Sequence, residues 1–182
     1  MPDSNAAAAK TVRYDAMCNV VASMVQKDGF MQVTIEQIQK AATHWSIEVT
    51  PAGATKIESF ADYLNPGTTV NVTFLPGSDP MDTVVVAERL HNEGMNPVPH
   101  LAARSLRDSD QLDALLAAYT SRAGVNEVLV IGGGVDQPVG AFTDSMQVLE
   151  TGLIQRYGIQ NIGVAGHPEG SPDISESEIA KA

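Results

Sequence analysis

The residues able to do chemistry in this chain gather where short apolar runs stop. Glu48 and Thr50 close the first run, Thr73 and Phe74 the second, and His100 and Arg104 the third. Gly132-Gly-Gly-Val-Asp136 closes the fourth, and His167-Pro-Glu169 the fifth. Glu48 lies between Ile47 and Val49. Enclosed among such neighbours an ionised carboxylate is costly and its pKa rises, which suits a general acid. Pairing with an arginine such as Arg104 is the other reading of the same residue, and both stay open. Gly132, Gly133 and Gly134 let the backbone approach a ligand and offer N–H groups to a phosphate or ring edge, or else form a plain tight turn. A complete GxGxxG is absent, as is GxxxxGK[ST]. His100 follows Pro97-Val-Pro99, which stiffens the backbone presenting its imidazole, and a purely structural histidine is the alternative. His44, His91 and His167 lack metal-ligand spacing, so no metal site is expected.

The elements that must position these groups repeat as apolar strand, turn and amphipathic helix. Strands are expected at Ser46–Thr50, Thr69–Leu75, Asn96–Leu101, Glu127–Ile131 and Asn161–Ala165, with starts separated by 23, 27, 31 and 34 residues. Between them, Thr55-Lys-Ile-Glu58 reads as a capping box, and Asp79-Pro80 as a helix start that Gly94 ends. Leu112, Leu115, Leu116 and Tyr119 recur at helical spacing before Gly124, and Phe142, Met146, Leu149 and Leu153 before Gly158. Residues 1 to about 43 do not fit the repeat. Met17, Val20, Val21, Met24 and Val25 form one helical stripe, and Ile35, Ile38 and Ala42 a second, which together suggest an N-terminal helical extension. The repeating domain is then 44–182.

Strand and helix alternating without hairpin signals implies parallel strands joined by right-handed crossovers. A closed (βα)8 barrel typically takes about 250 residues, whereas an open doubly wound parallel sheet is complete with five strands. Length alone favours the open sheet. In either architecture the carboxyl ends of the strands carry the site.

The whole composition limits the partners. The chain has 182 residues, 22 acidic and 11 basic side chains and a net charge of −11, so its surface repels nucleic-acid phosphate. Its 43% apolar content supports a packed core. The single cysteine, Cys18, excludes an internal disulfide and fits a reducing compartment. No apolar stretch nears the roughly 20 residues of a membrane span, and the first ten residues do not read as a secretory signal. A cytoplasmic protein binding neither nucleic acid nor membrane is expected.

Four motifs together, Ser46-Ile-Glu-Val-Thr-Pro51, Val70-Asn-Val-Thr-Phe74, Pro99-His-Leu101 and Val164-Ala-Gly-His-Pro-Glu-Gly-Ser-Pro172, resemble the ordered strand-end motifs of methylenetetrahydrofolate reductases, over about residues 44–178. The closest likeness is to a short, divergent bacterial branch. The resemblance implies a (βα)8 TIM-barrel fold with FAD at the strand carboxyl ends, and so reverses the preference from length. About five of eight units are present; at about 30 residues per unit the shortfall is roughly three units. Glu48 matches the family's catalytic glutamate, the acid that opens the folate's five-membered ring to an iminium. Thr73, His100 and the turn Gly132, Gly133, Gly134 fall on flavin-contacting positions. His167 stands where the family has a flavin-contacting tyrosine, and Ser171 where it has a histidine. The usual Arg-Gly-Asp or Gly-Asp is replaced by Gly132-Gly-Gly134. Asp136 lies two residues on, a displacement of about 6 to 7 Å in extended chain. The family's folate-binding glutamine has no counterpart. The activity implied interconverts 5,10-methylenetetrahydrofolate and 5-methyltetrahydrofolate, with NAD(P)H as co-substrate and a homo-oligomer expected. A non-catalytic flavin- or folate-binding module, or an inactive fragment of the reductase, is the alternative.

Overall fold

A computed structural model describes residues 34–41, 43, 45–166, 170 and 175–180. The chain divides into two units, Met1–Trp45 and Ser46–Ala182. In the first, α1 (Ile35–Ala41) starts with a reciprocal cap: the Gln37 N–H bonds the Thr34 hydroxyl at 3.2 Å and the Thr34 N–H bonds Gln37 Oε1 at 2.9 Å. The stripe from Met17 to Val25 lies outside the described residues, as does Ala42.

The second unit is an α/β structure with a five-stranded, all-parallel sheet. Its strands are β1 (Ser46–Val49), β2 (Thr69–Val72), β3 (Asn96–Ala102), β4 (Glu127–Ile131) and β5 (Asn161–Val164). They lie in the order 1-2-3-4-5, so each strand pairs with the next in sequence. The connecting helices include α2 (Pro51–Ala54), α3 (Met81–Asn92), α4 (Ser109–Ala123), α5 (Ser145–Glu150) and α6 (Leu153–Arg156), followed after β5 by α7 (Glu176–Ile179). Successive helices touch one another, α2 on α3, α3 on α4 and α4 on α6. They therefore form one layer on one face of the sheet.

Alternation along each strand sorts the side chains between the two faces. Val70, Val72, Leu101, Val128 and Val130 are buried against the helices. The α3 helix divides this core: Val86 and Leu90 pack towards β1 and β2, while Val84 and Ala87 join the cluster of α4 and β4. Leu112, Leu115, Leu116 and Tyr119 are all buried, as their spacing predicts. Each fully buried leucine contributes about 1.5 to 3 kcal/mol.

Two expectations change. The first helix after β1 begins five residues earlier than the expected capping box, because Thr50 accepts the Gly53 N–H at 3.0 Å and Pro51 supplies the first helical residue. Thr55 instead donates to the Ala52 carbonyl at the helix end. The stripe of Phe142, Met146, Leu149 and Leu153 is spread over a loop and two helices, broken at Gly152 with φ +68°; of its members only Phe142 is buried, and the fully buried helical residues are instead Val148 and Ile154.

Two prolines in β3 are accommodated by direction. The Asn96 N–H bonds the Thr68 carbonyl at 2.9 Å, so the alternate nitrogens of Pro97 and Pro99 face β4. Lacking N–H groups, they cannot extend that ladder, and β3–β4 pairing starts at His100.

Candidate functional site

The sheet face away from the helices carries the candidate residues Glu48, Thr73 and His100. Glu48 pairs in register with Asn71, and Asn71 with Val98, so all three share that face. Thr73 lies two residues beyond Asn71, its N–H bonding the Val49 carbonyl at 2.9 Å, and extending the β2–β3 register by one sets it beside His100. The Thr73 hydroxyl donates to Glu48 Oε1. Three strands thus bring Glu48, Thr73 and His100 together at their carboxyl ends.

Glu48 is exposed on this face. The burial expected from Ile47 and Val49 is not present, because these neighbours point to the opposite side of the pleat. Nor does it pair with Arg104, whose guanidinium donates to the Asp136 main-chain carbonyl. His100 is different. Its residue is 7% exposed, and neither Nδ1 nor Nε2 has a hydrogen-bond partner. Burial pushes its pKa below the usual 6.5, against the opposing pull of the Glu48 carboxylate. The neutral ring offers one donor and one acceptor.

The glycine turn divides its work. Gly133 has φ +94°, and a Cβ there would lie 3.2 Å from that of Ala102, so this glycine serves the turn and its close packing on β3. Added Cβ atoms at Gly132 and Gly134 would meet nothing within 4 Å. Space is open beside both Cα atoms. The Gly132 carbonyl accepts the Arg104 N–H at 2.9 Å, fastening the turn to the end of β3. Asp136 is exposed and contributes its carbonyl, not its carboxylate, to Arg104. His167 and Ser171 lie outside the described residues.

The groups that could meet the polar edge of a flavin ring are the unpartnered His100, with one donor and one acceptor nitrogen, and the Thr73 oxygen, left as an acceptor because its hydrogen goes to Glu48. Arg104, at the end of β3, has its Nε buried without a partner and its terminal nitrogen on the Asp136 carbonyl. Among the described residues no cluster of three His, Cys, Asp or Glu side chains could hold a metal ion, and no helix is long and apolar enough to cross a membrane. Two clefts lie elsewhere, along the loops after β2 and β3; Arg107 lines both and Ser105 one of them. Neither residue stands out in sequence. The available signal was a pair of arginines three apart, Arg104 and Arg107, just beyond a strand. No protein-family model matches the chain.

Proposed function

We propose that this chain is a flavin-dependent oxidoreductase of tetrahydrofolate metabolism, similar to methylenetetrahydrofolate reductase, and that its sheet is five successive units of a (βα)8-type barrel. The unreversed strand order and the single helix layer favour that winding over a doubly wound sheet, in which the order reverses at a switch point. The observation carrying the functional reading is the convergence of Glu48, Thr73 and the unpartnered His100 on one face.

FAD, when bound, would supply the hydride chemistry, reduced by NAD(P)H. Thr73 orients the Glu48 carboxyl, and Glu48 delivers the proton that opens the five-membered ring of 5,10-methylenetetrahydrofolate on the way to 5-methyltetrahydrofolate. Neutral His100, with one donor and one acceptor nitrogen, would help hold the cofactor. The reverse reaction uses the same groups in opposite order.

The test is spectroscopic. The purified protein is expected to retain flavin, to bleach with NAD(P)H and to recover colour with the folate. In Glu48→Gln the folate half-reaction should fall by about 10² to 10⁴, the usual worth of a general acid, while flavin bleaching persists. Equal loss of both half-reactions would remove Glu48 from this role. Gly134 in place of the family's aspartate supports a second reading, a flavin- or folate-binding module without turnover. Retained flavin with no folate-dependent recovery is its signature.

A further inference from the structure

The loops after β2, β3 and β4 line an open cleft of about 460 Å³ that the proposed flavin site does not use. Successive strand residues point to opposite faces. Accordingly Thr73 bonds Glu48 while the next residue, Phe74, is buried and lines this cleft. Pro80 and Val139 complete an apolar wall. The polar side holds Ser105, Arg107, Gln111 and Asp79.

Two of these groups lack partners. Ser105 is 9% exposed, and its Oγ is buried without a hydrogen-bond partner. A buried hydroxyl left unpaired is unfavourable, so a ligand acceptor there would recover free energy. The Arg107 guanidinium has no carboxylate partner among the described residues. By contrast the helix-layer arginines each have one: Arg89 pairs with Glu93, Arg122 with Glu88 and Arg156 with Asp113. In a chain of net charge −11 an unpaired arginine beside a cavity is conspicuous. Asp79 shares the lining, but among the described residues it forms no ion pair with Arg107, and its Oδ1 accepts the Met81 N–H at 2.9 Å. Gln111 Oε1 likewise accepts the Arg107 main-chain N–H at 2.8 Å, which leaves the side-chain amide N–H groups as donors.

The walls are held in advance. The Val139 N–H bonds the Arg104 carbonyl at 2.8 Å, and the Ala141 N–H bonds the Arg107 carbonyl at 2.9 Å. Between them Gly140 passes so near Arg107 that a Cβ would lie 1.9 Å from its carbonyl oxygen. Little ordering remains for a ligand to impose.

We propose that this cleft is a second ligand site, for a small organic anion: Arg107 pairs with a carboxylate or phosphate, Ser105 Oγ donates to it, and the Phe74, Pro80 and Val139 wall holds an adjoining apolar group. The site does not depend on the flavin reading. Phenyl phosphate, phenylacetate, inorganic phosphate and benzyl alcohol are titrated calorimetrically into the full chain. At least one aromatic anion should saturate below about 10 mM, more tightly than inorganic phosphate or the neutral alcohol. Whichever anion binds better identifies the headgroup. Arg107→Gln should weaken that binding about tenfold or more, and Ser105→Ala severalfold, because charge-assisted hydrogen bonds are the stronger kind. Arg107→Lys should retain part of it, and Arg122→Gln, on the helix layer, should leave it unchanged. Equal affinity in Arg107→Gln and Arg122→Gln, or no saturable binding of either aromatic anion, overturns the proposal. Arg107 is exposed, so its variants should fold, which an unchanged melting temperature verifies.

Discussion

His100 couples the candidate site to stability through a proton. Its folded-state pKa lies below 6.5, because burial disfavours the imidazolium. The unfolded chain therefore binds the proton more readily. Stability from this group is present above pH 6.5 and is lost as pH falls towards the folded-state value. His100→Gln should flatten that part of the urea-stability profile, and an unchanged slope would mean that folding does not shift the pKa of this ring. Tyr119 presents the opposite case of a buried polar group with a partner. Burial pushes its phenol up to about 12, partly offset by Thr83. Thr83 donates to the Pro80 carbonyl, so the Tyr119 hydroxyl donates to Thr83. Thr83→Val leaves that phenol without an acceptor and should cost about 1 to 3 kcal/mol in denaturant unfolding. Neither effect could be read from residue type. The placement of Glu48 could have been: strict alternation puts it with Ser46, opposite Ile47 and Val49, whereas its apolar neighbours alone suggested enclosure.

At the scale of elements, the segment after α2 depends on one side chain of α3. Arg89 donates to the carbonyls of Ala54 at 2.8 Å, Ile57 at 2.7 Å and Glu58 at 3.0 Å, and its guanidinium lies 5.0 Å from the Phe60 ring centroid. Glu93 completes the clamp by accepting from Arg89 Nε at 2.7 Å and from the Phe60 N–H. Partial burial raises the Glu93 pKa, but these donors outweigh it and hold the carboxyl below its ordinary 4.5. That contribution is present above pH 4.5 and disappears as pH falls through the folded-state value. Arg89→Met should cost about 2 to 4 kcal/mol by urea unfolding, since several carbonyls lose a charged donor together. Glu93→Gln should cost less and flatten the acid limb. Gly140→Ala should unhook the loop after β4 from Arg107 and lower the melting temperature by several degrees, as about 1 to 2 kcal/mol does in a domain of this size. Strand positions and the α4 stripe were legible because buried parallel strands and a 15-residue helix leave strong periodic patterns. The cap at Thr50 was less so, because two threonines five residues apart competed for one helix start. The Arg89 clamp was invisible, since its partners are main-chain carbonyls more than 30 positions away.

For the whole molecule, the outer edges of β1 and β5 have no strand partner among the described residues. Ile162 and Val164 of β5 are only half-buried, whereas Val128 and Val130 of β4 are fully buried. Amide exchange should therefore be slowest in β2 to β4 and fastest in β1 and β5. If copies of the chain associate through these edges, protection there should rise with protein concentration; constant protection would exclude edge pairing. The five-strand α/β organisation was legible from strand spacing and the absence of hairpin signals. How the sheet ends was not, because an edge strand and an interior strand of a parallel sheet have similar apolar runs. The 1-2-3-4-5 order bears also on how the chain is made. Every strand pairs with the one synthesised immediately before it, so no strand waits for a distant partner to leave the ribosome. Folding can advance one unit at a time, each loop closure spanning a few tens of residues, with the growing edge alone exposed to wrong pairing.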